Sequence, residues 1–156
     1  MLARSLSESM TDGVVTIRPP TKADVPVLIA GRDDEFHRFL GEGANEPSPV
    51  ACIEVEGADG PVVVGWVDYD VDRNWLEPHE VNVGYNVFAA FRGNGFATRA
   101  VHLLLQHLAE DTDVEVATLL IDPNNARSLA LATRAEFTQF GDLDGNPYWK
   151  KRVERA

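Results

Sequence analysis

The stretch with the most chemical potential runs Val87-Phe88-Ala89-Ala90-Phe91-Arg92-Gly93-Asn94-Gly95-Phe96-Ala97-Thr98. It joins a strand-like segment to the most regular helical pattern in the chain. Gly93 and Gly95 let the backbone bend so that successive N–H groups converge, and their missing Cβ atoms admit a ligand to the main chain. A helix beginning just behind such a turn adds unpaired N–H donors and the positive end of its dipole. The chemistry this suits is capture of a phosphate or pyrophosphate, at about 1.5–3 kcal/mol for each hydrogen bond to a charged oxygen. Two nucleotide fingerprints fail here. The residue three after Gly95 is Thr98 rather than the Gly or Ala of the dinucleotide turn, and no Gly-Lys-Ser/Thr occurs anywhere. Taken alone, the glycines also fit a plain tight strand–helix connection. Some thirty residues on, Asn125 precedes a short helical pattern, where it fits an N-cap in competition with Asn124.

These residues need elements to position them. Ala97, Ala100, Val101, Leu104, Leu105 and Leu108 form one uninterrupted helical stripe. Val114–Ile121 is a near-continuous apolar run, as in a strand covered on both faces. Upstream, Ala51–Val55, Val62–Val71 and Glu80–Phe88 read as an antiparallel meander, separated by turns rich in Gly, Pro, Asp and Asn. Val14–Arg18 reads as a first strand stopped by Pro19-Pro20, and Thr21–Asp24 as a helix-capping box before Val25, Leu28 and Ile29. A second short helix is expected over Asp33–Leu40 and a third over Ala126–Ala135. A hairpin of Phe137–Phe140 and Tyr148–Val153 closes the chain. Residues 1–13 read as a loose polar leader and 14–156 as one domain. The order predicts an α+β fold of three layers, α/β/α, around a mixed sheet.

Composition bounds the function. The 156 residues suit a single domain, and the net charge of −11 argues against duplex nucleic acid and anionic membrane surfaces as partners while tolerating a cationic substrate. One cysteine, Cys52, excludes an internal disulfide and a Cys-based zinc site; His102 and His107 do not share a helix face, so no metal is expected. No apolar run reaches membrane-spanning length and the N-terminus has no apolar signal region, so a cytoplasmic protein is the expectation.

Arg92-x-x-Gly95-x-Ala97, followed by Asn125-x-x-Ser128 and then Arg134 and Phe137, resembles the two signature stretches of the GCN5-related N-acetyltransferase (GNAT) superfamily. Val81-Asn82-Val83-Gly84-Tyr85-Asn86-Val87 ahead of the glycine turn looks most like its RimJ/RimL branch. The likeness is dense from Glu80 to Phe137 and looser before it.

The resemblance implies the acyl-CoA N-acyltransferase fold, a mostly antiparallel sheet with a V-shaped splay. It also implies acetyl-CoA as co-substrate, its pyrophosphate on the Arg92–Thr98 loop. The pantetheine arm would pair like an added strand at Val87 and Ala89, beside Phe88, and contact Asn125. A backbone N–H near Val87 would polarise the thioester. Direct attack requires a neutral amine, and Glu80, alternating with Asn82, Gly84 and Asn86 onto one strand face, is the candidate base, with Asp68 and Asp70 as rivals. The superfamily's usual acid, a tyrosine seven residues after the motif asparagine, is Ala132 here, which leaves Ser128 as the candidate acid. The expected acceptor is a small-molecule amine or a protein N-terminus, with oligomeric state, including a homodimer, left open. A non-catalytic acyl-CoA sensor of the same fold is the alternative.

Overall fold

The computed structural model describes residues 6–155. Strands β1 (Met10–Thr11) and β2 (Thr16–Arg18) form a small hairpin. The Asp12 carboxylate accepts the N–H groups of Val14 and Val15, each at 2.9 Å, which fixes the turn between them. This corrects the expected leader: its residues 6–13 carry an edge strand and place Leu6, 4% exposed, in the core. A two-residue strand is too short to leave a periodic signal. Residues 1–5 of that leader lie outside the described residues. The first strand is also shorter than Val14–Arg18.

The capping box forms as expected. Asp24 accepts the Thr21 N–H at 2.7 Å and is gripped by the Arg18 fork, so its carboxyl lies well below the usual carboxylate range. Helices α1 (Val25–Ala30) and α2 (Asp34–Leu40) follow, the second capped by Asp33, which accepts the Phe36 N–H. The meander is β3 (Ala51–Gly57), β4 (Gly60–Asp70) and β5 (Glu80–Val87). Then come α3 (Phe96–Asp111), β6 (Val116–Leu120), α4 (Ala126–Arg134) and the hairpin β7 (Thr138–Leu143) and β8 (Asn146–Arg152).

One sheet of order β1-β2-β3-β4-β5-β6-β8-β7 runs through the molecule, antiparallel throughout except at β5–β6. Its main core lies against α3 and α4. There Val81, Val83, Ala117 and Leu119 of the sheet meet Val101, Leu104, Leu108 and Leu131. Leu103 and His107, outside the predicted stripe, are buried as well. On the opposite face a smaller cluster of Leu28, Cys52 and Phe88 packs beside Trp66 under α1, completing three layers. Burial pushes the Cys52 thiol up to about 12, as suits a small apolar packing residue.

The feature that makes a site is the parallel seam. Its register is only three residues long, Glu80↔Val116, Val81↔Ala117 and Asn82↔Thr118. Beyond it β4 holds β5 as far as Val87 and β8 holds β6 as far as Leu120, so the two antiparallel halves part. Where they part, the sheet has the expected V. Gly65 allows β4 to follow β5 this far: a Cβ there would stand 2.1 Å from the Asn86 carbonyl oxygen.

Candidate active site

The V opens into a cleft of about 490 Å³, walled by Val83–Val87 of β5, Leu119–Ile121, α2 and the N-termini of α3 and α4. The Phe88 N–H bonds to the Val64 carbonyl at 2.8 Å. The alternation of an antiparallel ladder then turns the main-chain groups of Val83, Tyr85 and Val87 away from β4, toward the side β6 has left. At the vertex the Val81 carbonyl still finds a partner there, the Thr118 hydroxyl at 3.0 Å. In the V the same face of β5 is a strand edge facing a cavity.

At the mouth of the cleft, β5 gives way to a single 3₁₀ turn over Ala89–Phe91 and then to the glycine bend. Gly93 and Gly95 have φ of +84° and +76°, the left-handed region, and a Cβ at either would meet nothing within 4 Å. Arg99 is the first residue of the new helix whose N–H finds a carbonyl, that of Gly95 at 3.2 Å. Among the described residues, the N–H groups of Gly93, Gly95, Phe96, Ala97 and Thr98 have no acceptor in the chain, whereas that of Asn94 closes the turn over Arg92 and Gly93. Gly93, Gly95, Phe96, Ala97 and Thr98 all line the cleft. Five donors without acceptors, on glycine-opened backbone at a helix start, make a surface of the kind that suits an anion.

Arg92 plays a different part from the one its charge suggests. Its guanidinium is 13% exposed and turned inward, donating Nε to the Val87 carbonyl at 2.8 Å and Nη1 to Asp33 at 2.6 Å, with Glu35 at 2.9 Å. The side chain clamps the loop to α2 and leaves the main chain to face a ligand. Hydrogen bonds from Arg92 hold the Asp33 carboxyl down to about 2. Glu35 also reaches Arg127 of α4, at 3.4 Å.

Asn125 caps α4, its Oδ1 accepting the Ser128 N–H at 3.3 Å, and it lines the cleft too. Asn124 is not the cap; its own N–H donates to Asp122. Ser128 accepts a hydrogen bond from the Tyr85 hydroxyl at 2.6 Å, across the V. Burial pushes the Tyr85 phenol up to about 12. Ala132, in place of the usual tyrosine, is fully buried.

Four expectations need correction. Ala89 cannot offer a strand edge, because it opens the 3₁₀ turn and its carbonyl accepts the Arg92 N–H. Phe88 points into the small core, and the Asn94 side chain donates back to the Phe91 carbonyl rather than into the cleft. Glu80 does not line the cleft. It sits at the vertex, 8% exposed, with one carboxylate oxygen on Lys150 Nζ at 3.0 Å and the other on the Glu77 N–H at 3.2 Å. Of the rivals, Asp68 accepts the Val50 and Tyr69 N–H groups and Asp70 binds Arg73. Reading the sequence for site residues passed over Tyr85 and the α2 residues Glu35, Phe36 and Phe39 that wall the cleft. Tyr85 carried a signal in its place on the strand face opposite Glu80; α2 carried none.

A strand edge opened by a split sheet, with unmatched main-chain donors at its mouth, makes a cleft for an elongated ligand with an anionic end. The sequence pattern of the acetyltransferase (GNAT) domain family matches residues 15–138, and the chain belongs to that family. Comparison with curated proteins gives no match. Solved structures of the same fold include RimJ of Mycobacterium smegmatis in complex with CoA-disulfide (20% identity, 90% of this chain and 83% of that one, TM-score 0.69). RimL, a ribosomal L7/L12 α-N-protein acetyltransferase, aligns at 16% identity over 94% and 98% with TM-score 0.67. The microcin C7 self-immunity acetyltransferase MccE, in complex with acetyl-CoA and AMP, aligns at 18% over 92% and 94% with TM-score 0.70. RimJ and RimL among these neighbours match the branch that the Val81–Val87 stretch resembles.

Proposed function

We propose that this acetyltransferase moves the acetyl group of acetyl-CoA directly to a primary amine, with both substrates held together in the cleft. The observation that carries the reading is the row of five acceptor-less N–H groups among the six from Gly93 to Thr98, beside an open strand edge. The row suits a pyrophosphate and the edge suits an amide-bearing arm, so the residues present fit acetyl-CoA. The co-substrate supplies an acyl group activated as a thioester. The chain holds the anion on the Gly93–Thr98 donors, offers the Val87 N–H to a carbonyl oxygen, and faces the leaving sulfur with Ser128. Main chain does most of this work, which reconciles an anionic co-substrate with a net charge of −11.

The amine enters between α2 and the V, over Phe36 and Phe39, past the Glu35 carboxylate that Arg92 and Arg127 hold. The acceptor is a small-molecule amine or a protein N-terminus. Its proton leaves to water, since Glu80 is saturated by Lys150 and the Glu77 N–H. The absence of a tyrosine at Ala132 favours one second reading, an acyl-CoA sensor without turnover. An acceptor screen separates the two: acetyl-CoA is mixed with small amines and free-N-terminus peptides, and thiol release is followed. Amine-dependent release of CoA is the expected result; tight acetyl-CoA binding with no release from any acceptor would establish the sensor.

A further inference from the structure

Tyr85 leaves β5 on the face that looks across the V and ends with its hydroxyl 2.6 Å from Ser128 Oγ, in the cleft wall. The contact joins two elements that no main-chain ladder connects, since β5 and β6 have already separated at Asn82↔Thr118. Ser128 is fixed from its other side by the Asn125 cap on its own N–H. Of two hydroxyls in contact, the phenol is the more acidic and donates; the serine oxygen accepts, and its own proton is free to point into the cleft. Four residues further along α4, where a tyrosine would serve from the helix, Ala132 has no polar group.

We propose that Tyr85 is a positioning residue that turns the Ser128 proton toward the departing sulfur. The inference rests on the acetyl-transfer reading above. As the amine nitrogen bonds to the carbonyl carbon, the carbon–sulfur bond breaks and the sulfur leaves with the electron pair; the nitrogen gives its proton to water. Ser128 donates a hydrogen bond to that sulfur and keeps its proton. Tyr85 keeps its own too, because burial holds the phenol at about 12, far above the ordinary thiol value of about 8.5. Two neutral hydroxyls in series thus stabilise a thiolate without either becoming charged. Glu35 is the charged group whose field reaches Tyr85, and it acts in the same sense, disfavouring a phenolate.

The test uses CoA itself, whose bound thiol is titrated by ultraviolet absorbance of the thiolate in the parent protein and in Tyr85→Phe, which keeps the ring and removes only the hydroxyl. In the parent the bound thiol titrates about one unit below free CoA, and at least half of that shift disappears in Tyr85→Phe. In turnover, kcat falls about tenfold while the KM for acetyl-CoA stays within about twofold. Ser128→Ala, a change at a half-buried site that leaves the fold intact, gives the same loss, and combining the two adds nothing more. An unchanged thiol titration in both variants, with CoA bound, overturns the positioning role alone. Failure of the parent to bind CoA overturns the functional reading and this inference with it.

Discussion

The two ends of β5 present opposite solutions to the same problem, what to do with polar groups inside a sheet. At the Glu80 end the charged groups and the main chain of the seam are matched. The carboxylate takes the Lys150 ammonium and the Glu77 N–H, the Val81 carbonyl takes the Thr118 hydroxyl, and β6 runs alongside in register. Lys150 lies on β8, so this ion pair reaches over β6 and ties the two halves of the sheet together at the vertex of the V. At the Val87 end the ladder to β6 is gone, and five of the six N–H groups from Gly93 to Thr98 have no acceptor. Free N–H groups are normal at a helix start, but here they sit on two left-handed glycines at the mouth of a cleft, where a ligand can reach them. The lesson is that an acidic side chain near a cleft is a weak sign of catalysis when its lone pairs are occupied, and unmatched main chain is a stronger one.

The largest effect is expected from filling the open end. Gly95→Val puts a β-branched residue at φ +76°, a strain of about 1–2 kcal/mol. A Cβ there meets nothing within 4 Å inside the fold, so the added side chain stands in the open space beside the bend. Acetyl-CoA affinity, measured by calorimetry, should drop tenfold or more while the thermal midpoint falls by only a few degrees. Unaltered affinity would remove the cradle from the argument.

Breaking the closed end should do the reverse. Glu80→Gln leaves the Lys150 ammonium, about one-fifth exposed, without its countercharge, at a cost of about 1–2 kcal/mol of stability. Turnover should stay within about twofold. Glu80 raises the Lys150 ammonium above its ordinary value, so the pair's contribution is complete below about 10.4 and disappears as pH rises through the folded-state value. Urea midpoints of parent and variant should therefore differ at neutral pH and converge in strong alkali. A variant that folds as tightly as the parent but has lost turnover would restore Glu80 as the base.

Much of this architecture was readable because it follows from local periodicity. The α3 stripe, the β3–β4–β5 meander and the glycine bend are written in consecutive residues, and each element was placed to within a few positions. Of the candidate cleft, the parts legible in sequence are those close together in it: the glycine bend is one contiguous segment, and Asn125 and Ser128 share one helical turn. What escaped depends on pairings across the chain. Nothing near Glu80 in sequence announces Lys150, seventy residues on, and nothing near Arg92 announces Asp33. Glu80 therefore reads as a free base, when its charge is neutralised by a distant partner, and the motif around Arg92 carries no sign that its guanidinium turns inward onto Asp33. Tyr85 was missed for the same reason, since its significance lies in Ser128, forty-three residues away.

The Asp33–Arg92 contact joins the open end to α2, and loosening it should give the smallest effect of the three. In Asp33→Asn the amide still caps α2, because Asn and Asp are comparable N-caps. Glu35, 2.9 Å from the guanidinium, still neutralises Arg92. What is lost is one charge-assisted fork, so acetyl-CoA affinity should weaken only two- to threefold, about 0.5 kcal/mol. The pH dependence identifies the contact more sharply than its size does. Asp33 titrates lower in the folded chain, at about 2, than in the unfolded chain, near 3.9. Its stabilisation is therefore fully present above about pH 4 and is lost as pH falls through about 2. Denaturation midpoints of parent and variant should differ by a constant amount at pH 5–7 and meet near pH 2. A gap that persists in acid would mean that Asp33 acts through the shape of the α2 cap rather than through Arg92, and the link between that helix and the cradle would have to be sought in Glu35.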